Sequence, residues 1–231
     1  MWVNRKIQMA LGIVAGLLLL ASCFGALYWL LMPQRFPVST VEISGALKNT
    51  TRAEIKAVLP RAAGNFFAVD LAEVRAGVER LPWVRSVAVR RVWPARLEVT
   101  VEEHVALARW GDDALVNLQG EKFYAKTREA LPSFVAPAGT AAEVARRYRR
   151  FSEIVAPLGT RVERVVLSAR HAWQLRLGNG VHIMLGRDAD AAEARLQKFV
   201  ESHAASTGRK YEYVDLRYPN GFALRLPDRS G

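Results

Sequence analysis

The chain has 231 residues, 51% of them hydrophobic and 24% charged, which is enough apolar material for a packed core and excludes a disordered or low-complexity polymer. The formal net charge is +11, a surplus that suits nucleic acid, anionic lipid or acidic protein until the membrane segment decides among them. The single cysteine, Cys23, excludes an intrachain disulfide.

Residues 1–6 carry Arg5 and Lys6, and an uncharged apolar run follows from Ile7 to Met32. As a helix its roughly 26 residues span about 39 Å, against a hydrocarbon core of about 30 Å, so the run predicts a transmembrane helix with some tilt. The basic flank before it places the N-terminus in the cytoplasm, and Tyr28 and Trp29 suit the outer aromatic belt. Everything after Pro33 then lies across the membrane, which argues against nucleic acid as a partner. Leu20-Ala21-Ser22-Cys23 also reads as a lipobox. A lipidated cysteine calls for a polar tether after it, however, and Phe24 to Met32 adds nine more apolar residues. An uncleaved single span is therefore the expectation.

Residues 38–104 predict a first unit. Val38 to Ser44 reads as a strand ending at Gly45. Thr51-Arg52-Ala53-Glu54 has a capping-box pattern ahead of Ile55, Val58 and Leu59, with Pro60 as the stop. Gly64-Asn65 breaks the chain, and Asp70-Leu71-Ala72-Glu73 caps a second helix that ends before Pro82. A strand runs to about Val92, Trp93-Pro94-Ala95 turns, and Leu97, Val99 and Val101 alternate with Glu98, Thr100 and Glu102. The order β-α-α-β-β is similar to a POTRA module, a small domain found beside bacterial membranes.

Residues 105–226 predict a second unit, and 227–231 a polar tail. Val105 to Trp110 is a strand, and Gln119-Gly120 turns between Leu115–Leu118 and Lys122–Ala125. Leu131-Pro132 marks a loop. Thr140-Ala141-Ala142-Glu143 repeats the capping pattern before a helix through Val155, with Gly159 after its end. Strands are expected at Val162–Leu167, Ala172–Leu177 and Val181–Leu185, the last two joined by Gly178-Asn179-Gly180. Asp190 and Glu193 are placed to cap a further helix through Val200. Tyr213–Leu216 and Phe222–Leu226 close the chain as a hairpin. The fold class is α+β, with a largely antiparallel sheet and helices on one face.

No catalytic or metal site assembles. Glu102-Glu103-His104 are strand neighbours that point to opposite faces. His171, His182 and His203 lack zinc-site spacing, and no nucleophile elbow, P-loop or dinucleotide fingerprint occurs. Neither cofactor nor metal is expected. Arg146 to Arg150 reads as the outer face of a helix, Phe66 and Phe67 as core anchors, and Trp83 and Trp93 as packing or turn residues.

A terminal strand is often an edge strand, whose free N–H and C=O groups accept another chain. In Phe222–Leu226 the residues Phe222, Leu224 and Leu226 should face the core and Ala223 and Arg225 face out. Gly221 and Ala223 are small enough for a second backbone to approach.

The chain resembles the FtsQ/DivIB family of cell-division proteins. The likeness rests on Gly64-Asn65-Phe66-Phe67 with Val69-Asp70-Leu71, Leu81-Pro82-Trp83-Val84, Val89-Arg90-Arg91-Val92-Trp93-Pro94 leading into Leu97-Glu98-Val99, Glu102-Glu103-His104, Leu167-Ser168 with Arg170 and Trp173, Leu185-Gly186-Arg187, and Val214-Asp215-Leu216-Arg217-Tyr218. It implies a single-pass protein of the bacterial inner membrane at the division septum, with its C-terminal region periplasmic. It also implies a non-catalytic divisome scaffold that holds FtsB and FtsL and so influences septal peptidoglycan synthesis. FtsK and other divisome proteins would meet the POTRA unit. Position by position, the resemblance makes Tyr218 an aromatic contact for an FtsB strand and Asn220 and Gly221 the small or polar pair after it. Arg217 and Arg170 become the basic partners of an acidic FtsB side chain. Leu226 stands where some members carry Trp. A periplasmic cell-wall enzyme would need a nucleophile, a zinc set or a carboxylate pair. A POTRA-containing envelope assembly factor would need a long series of barrel strands.

Overall fold

The computed structural model describes residues 2–32, 37–59, 66–203, 211–218 and 221–226. Trp2–Leu31 form one helix, α1, within which Ile7–Trp29 has a mean hydropathy of 2.3. All side chains from Ile7 to Trp29 are exposed, as fits a helix whose solvent is lipid. Beyond it the chain divides into two compact units, with the boundary between Glu103 and His104.

The first unit has the expected order: β1 (Thr40–Ser44), α2 (Arg52–Val58), α3 (Leu71–Glu79), β2 (Val84–Val92) and β3 (Arg96–Glu103). Its sheet runs β1-β3-β2, with β1 parallel and β2 antiparallel to the central strand. The capping chemistry forms as the sequence predicts. Thr51 Oγ1 accepts from the Glu54 N–H at 3.2 Å, and Glu54 Oε2 accepts from the Thr51 N–H at 2.7 Å. Asp70 Oδ1 accepts from Ala72 and Glu73 at 2.8 and 3.3 Å. Leu97, Val99 and Val101 are buried against Ile55, Val74 and Val78 of the helices. Phe66 is buried while Phe67 stays exposed, its ring edge-on to Phe66 at 5.2 Å. Trp93 takes no packing role: it is exposed, at a turn whose Trp93–Pro94 peptide is cis. Pro60, Gly64 and Asn65 lie outside the described residues.

Glu102, Glu103 and His104 each take separate partners. Glu102 binds Arg85 and Ser86. The Glu103 carboxylate accepts from the backbone N–H groups of Lys48, Asn49 and Thr50 at 2.9, 3.0 and 2.6 Å. His104 Nδ1 lies 2.9 Å from Asn117 Nδ2.

The second unit comprises β4 (Ala106–Trp110), β5 (Ala114–Asn117), β6 (Lys122–Phe123), β7 (Ser133–Val135), α4 (Ala141–Val155), β8 (Val162–Leu167), β9 (Trp173–Leu177), β10 (His182–Gly186), α5 (Ala189–His203), β11 (Tyr213–Asp215) and β12 (Ala223–Arg225); a 3-10 turn, Ala156–Leu158, follows α4. All nine strands join one mixed, mostly antiparallel sheet of order β12-β11-β10-β9-β8-β7-β4-β5-β6. Helix α4 lies against β8, α5 against β10, and the two helices touch each other. Phe134, Phe151, Trp173, Ile183 and Leu196 are among the fully buried side chains of the core.

Three local expectations change. Residues expected to be loop after Leu131-Pro132 include strand β7, which pairs in parallel with both β4 and β8. Thr140 does not cap α4 through its side chain; its hydroxyl donates to the Pro137 carbonyl at 2.8 Å. At the start of α5, Asp188 Oδ1 accepts from the Ala191 N–H at 3.0 Å. Asp190 and Glu193, the expected caps, instead hold Arg147 of α4 at 2.7 and 2.6 Å. Arg147 is thus drawn inward from a run expected to be wholly solvated.

Candidate functional site at the C-terminal strand edge

Strand β12 is the last in the sheet order. It pairs with β11 in the register Ala223–Asp215, Leu224–Val214 and Arg225–Tyr213, and the Glu212 N–H adds a bond to the Arg225 carbonyl at 3.0 Å. Among the described residues no strand covers its other side. An extended backbone therefore presents a row of N–H and C=O groups outward, the arrangement that accepts an added strand.

The side chains around this edge are apolar and uncovered. Leu224 stands opposite the buried Val214 and so points to the core side of the sheet. The expected burial of Phe222, Leu224 and Leu226 does not occur. With no further strand beside them they remain 36%, 37% and 60% exposed. Phe222 is anchored all the same, its ring 5.5 Å from Phe199 and 5.2 Å from His203 of α5. On the opposite face the Arg225 guanidinium lies 5.6 Å above the Tyr213 ring, with Nε 3.4 Å from Glu212 Oε2. Ala223 and Gly221 are exposed. Asn220 lies outside the described residues.

The sheet register gathers the remaining candidates. Val166, Gln174, Met184, Asp215 and Ala223 follow one another across five strands. The segments just beyond them therefore emerge at one end of the sheet. Those segments are the turn holding Arg170, the residues after Gly186, Arg217-Tyr218, and Gly221-Phe222. At about 4.8 Å per strand, the centre of the Arg170 turn is roughly 12 Å from β11. That turn is closed by Ser168, whose N–H donates to the Ala172 carbonyl at 2.9 Å and whose Oγ accepts from the Ala172 N–H at 3.0 Å. Arg170 projects into solvent from it. Arg187 was given no binding role by sequence reasoning, yet it sits exposed at the same end, directly after β10. The available signal was Gly186, which ends that strand.

Arg217 is a bound cation rather than a free one. Its Nε lies 2.9 and 3.0 Å from the two oxygens of Asp215, and its Nη2 lies 2.6 Å from Oδ2. The Arg217 backbone N–H adds a bond to Oδ1 at 3.1 Å. Asp215 is only 5% exposed. The guanidinium holds its carboxyl below the ordinary carboxylate range, although burial pulls the other way. The same pairing raises Arg217. Arg217 is itself half exposed, so one side of a fixed, charged fork faces outward beside Tyr218, which is 55% exposed.

Among the described residues no group of three His, Cys, Asp or Glu side chains is placed to hold a metal. What the geometry offers is an open strand edge, an apolar fringe and basic groups at one end.

Known proteins align with this architecture over both units. The model of the FtsQ-type POTRA domain matches residues 36–104, and that of the C-terminal region of cell division protein FtsQ/DivIB matches residues 108–217. The second match stops just before Tyr218 and β12. The chain is 42% identical to cell division protein FtsQ of Burkholderia pseudomallei, over 97% of this chain and 94% of that one. It is 41% identical to FtsQ of Nitrosospira multiformis, over 97% and 99%. For FtsQ of Escherichia coli the identity is 32%, over 89% and 78%.

Proposed function

The chain belongs to the FtsQ/DivIB family of cell division proteins, and from that premise we propose that it is a non-catalytic scaffold of the inner membrane that captures the FtsB/FtsL pair at the edge of β12. The observation that carries this reading is the uncovered side of β12, flanked by the exposed Tyr218, Phe222, Leu224 and Leu226. A strand from FtsB adds to that side as a tenth strand. Backbone bonds supply affinity, and alternate side chains read Ala223 and Arg225 on one face and the Phe222–Leu224 surface on the other. Arg217 and Arg170 meet an acidic side chain of the same segment. α1 crosses the membrane with the N-terminus in the cytoplasm, so both folded units work in the periplasm at the septum. The POTRA unit contacts FtsK and other divisome proteins.

The test is site-specific photocrosslinking from Ala223 and Arg225 of the full chain in dividing cells. FtsB in the captured band is the expected result. Crosslinks from these positions that never contain FtsB, while crosslinks from the POTRA unit do, overturn the reading.

A further inference from the structure

We propose that the outer edge of β1 is a second strand-docking site, suited to an extended acidic segment of a neighbouring membrane protein close to the lipid surface. It is independent of the β12 site and lies in the other folded unit.

β1 forms one margin of its sheet, and β3 is its only strand partner among the described residues. A groove follows this margin, lined by residues 40–43 of β1, Arg52 and Lys56 of α2, and Arg96 of β3. Ile43 is buried in the groove floor, while Thr40 and Glu42 turn outward. Arg96 is neutralised by Glu42 at 3.4 Å. Arg52 and Lys56 are exposed and form no ion pair with any described residue, which leaves two positive charges beside the groove. An uncovered strand edge next to uncompensated cations recognises an extended chain bearing carboxylates.

The spacing narrows the ligand. Arg52 and Lys56 are one helical turn apart, with Cβ atoms about 6 Å from each other. Residues two apart on a strand are about 6.7 Å apart on the same face. An added strand therefore meets both cations with acidic residues in the pattern acid-x-acid. The place of the partner follows from chain length. Eight residues separate Leu31 of α1 from Thr40, so β1 stays within roughly 30 Å of the helix end at full extension. The donor is thus a segment just outside the bilayer. Anionic headgroups would also attract the two cations, but a lipid surface cannot pair with strand amides in register.

The test uses the full chain in phosphatidylcholine nanodiscs and a fluorescein-labelled peptide, Ser-Thr-Glu-Val-Glu-Thr-Ser, read by anisotropy and by amide hydrogen exchange. Binding should slow exchange at residues 40–44, and Arg52→Glu with Lys56→Glu should weaken it about tenfold. Both side chains are exposed, so the fold should survive. Should it not, two peptide controls on the unaltered chain keep the test decisive: replacing both Glu by Lys, or N-methylating alternate amides, should abolish binding. Equal binding of either control overturns the proposal. So does unchanged affinity in a folded double variant, or protection that appears at residues 223–225 in place of 40–44. Protection of residues 40–44 by phosphatidylglycerol nanodiscs, with no peptide binding, overturns it in favour of a lipid contact.

Discussion

A methyl group on Gly186 would stand 3.4 Å from Cγ of Arg217. Gly186 has φ of +88°, a conformation that side chains rarely adopt, and it closes β10 where the register shifts against β9. A methyl there would make ordinary contact with Arg217, so the positive φ alone carries the constraint. Gly186→Ala is therefore expected to cost about 1 kcal/mol or more in chemical denaturation, from the strained backbone alone. An unchanged denaturation midpoint would show that the backbone relaxes freely and that the glycine is dispensable.

Removing the fork itself gives a pH signature. The Asp215 carboxyl is held below its ordinary value, so its ionised form is favoured by folding. That contribution is fully present above the unfolded carboxylate value, near pH 4, and is lost as pH falls through the lower folded value. Arg217→Ala should therefore lower the melting temperature at pH 7 and converge on the parent chain in strong acid. A gap of constant size from pH 7 to pH 2 would contradict this account.

Tyr218→Ala should weaken FtsB capture by about 2 kcal/mol, in the range of an aromatic hot spot, without unfolding the domain. The measurement is a titration of the full chain in nanodiscs with FtsB, alongside a thermal melt. Undiminished affinity would remove Tyr218 from the interface.

The Glu103 carboxylate collects three backbone N–H groups from residues 48–50. Burial alone would raise its pKa, but these bonds bring it below the ordinary value. Glu103→Ala leaves those donors without their carboxylate and should cost about 2 kcal/mol. Stability due to Glu103 should be present at neutral pH and fade as pH drops through its lowered pKa. A variant as stable as the parent at pH 7 would mean that water replaces the carboxylate without penalty.

Local signals in the sequence succeeded where the chemistry was self-contained. Thr51 and Thr140 show why the same pattern does not always mean the same cap. Each stands three residues before a glutamate, but Thr51 has the extended backbone of a capping residue, with ψ of 152°. Thr140 has ψ of 7°, and its hydroxyl is already committed to Pro137. Backbone conformation just outside a helix is set by the loop, which the four-residue pattern does not record. Strand β7 was illegible for a different reason. It has three residues, and both its partners are parallel and distant in sequence, so no hairpin signal accompanies it.

The candidate site divides along the same line. Alternation and position at the end of the second unit pointed to β12 as an edge. The Asp215–Arg217 fork was also latent in the sequence, since residues two apart on extended backbone share a face. The exposure of Phe222, Leu224 and Leu226 was not legible. Alternation assigns a face to each residue but does not say whether a neighbouring strand exists to cover that face. Arg170 and Arg187 reach the same end of the sheet as Arg217 only through registers running across four strands, β8 to β11.

Strand β12 is a thinly secured margin of the sheet to which it belongs: three residues paired on one flank, with one aromatic ring pinned to α5. Such a fringe opens and recloses far more often than the interior strands. A guest strand would turn the fringe into an inner layer, bonded on both flanks. Capture would then do two things at once, recruiting the guest and locking the host's own last strand against local opening and proteolysis. The protection should rise with the concentration of the guest, as mass action requires.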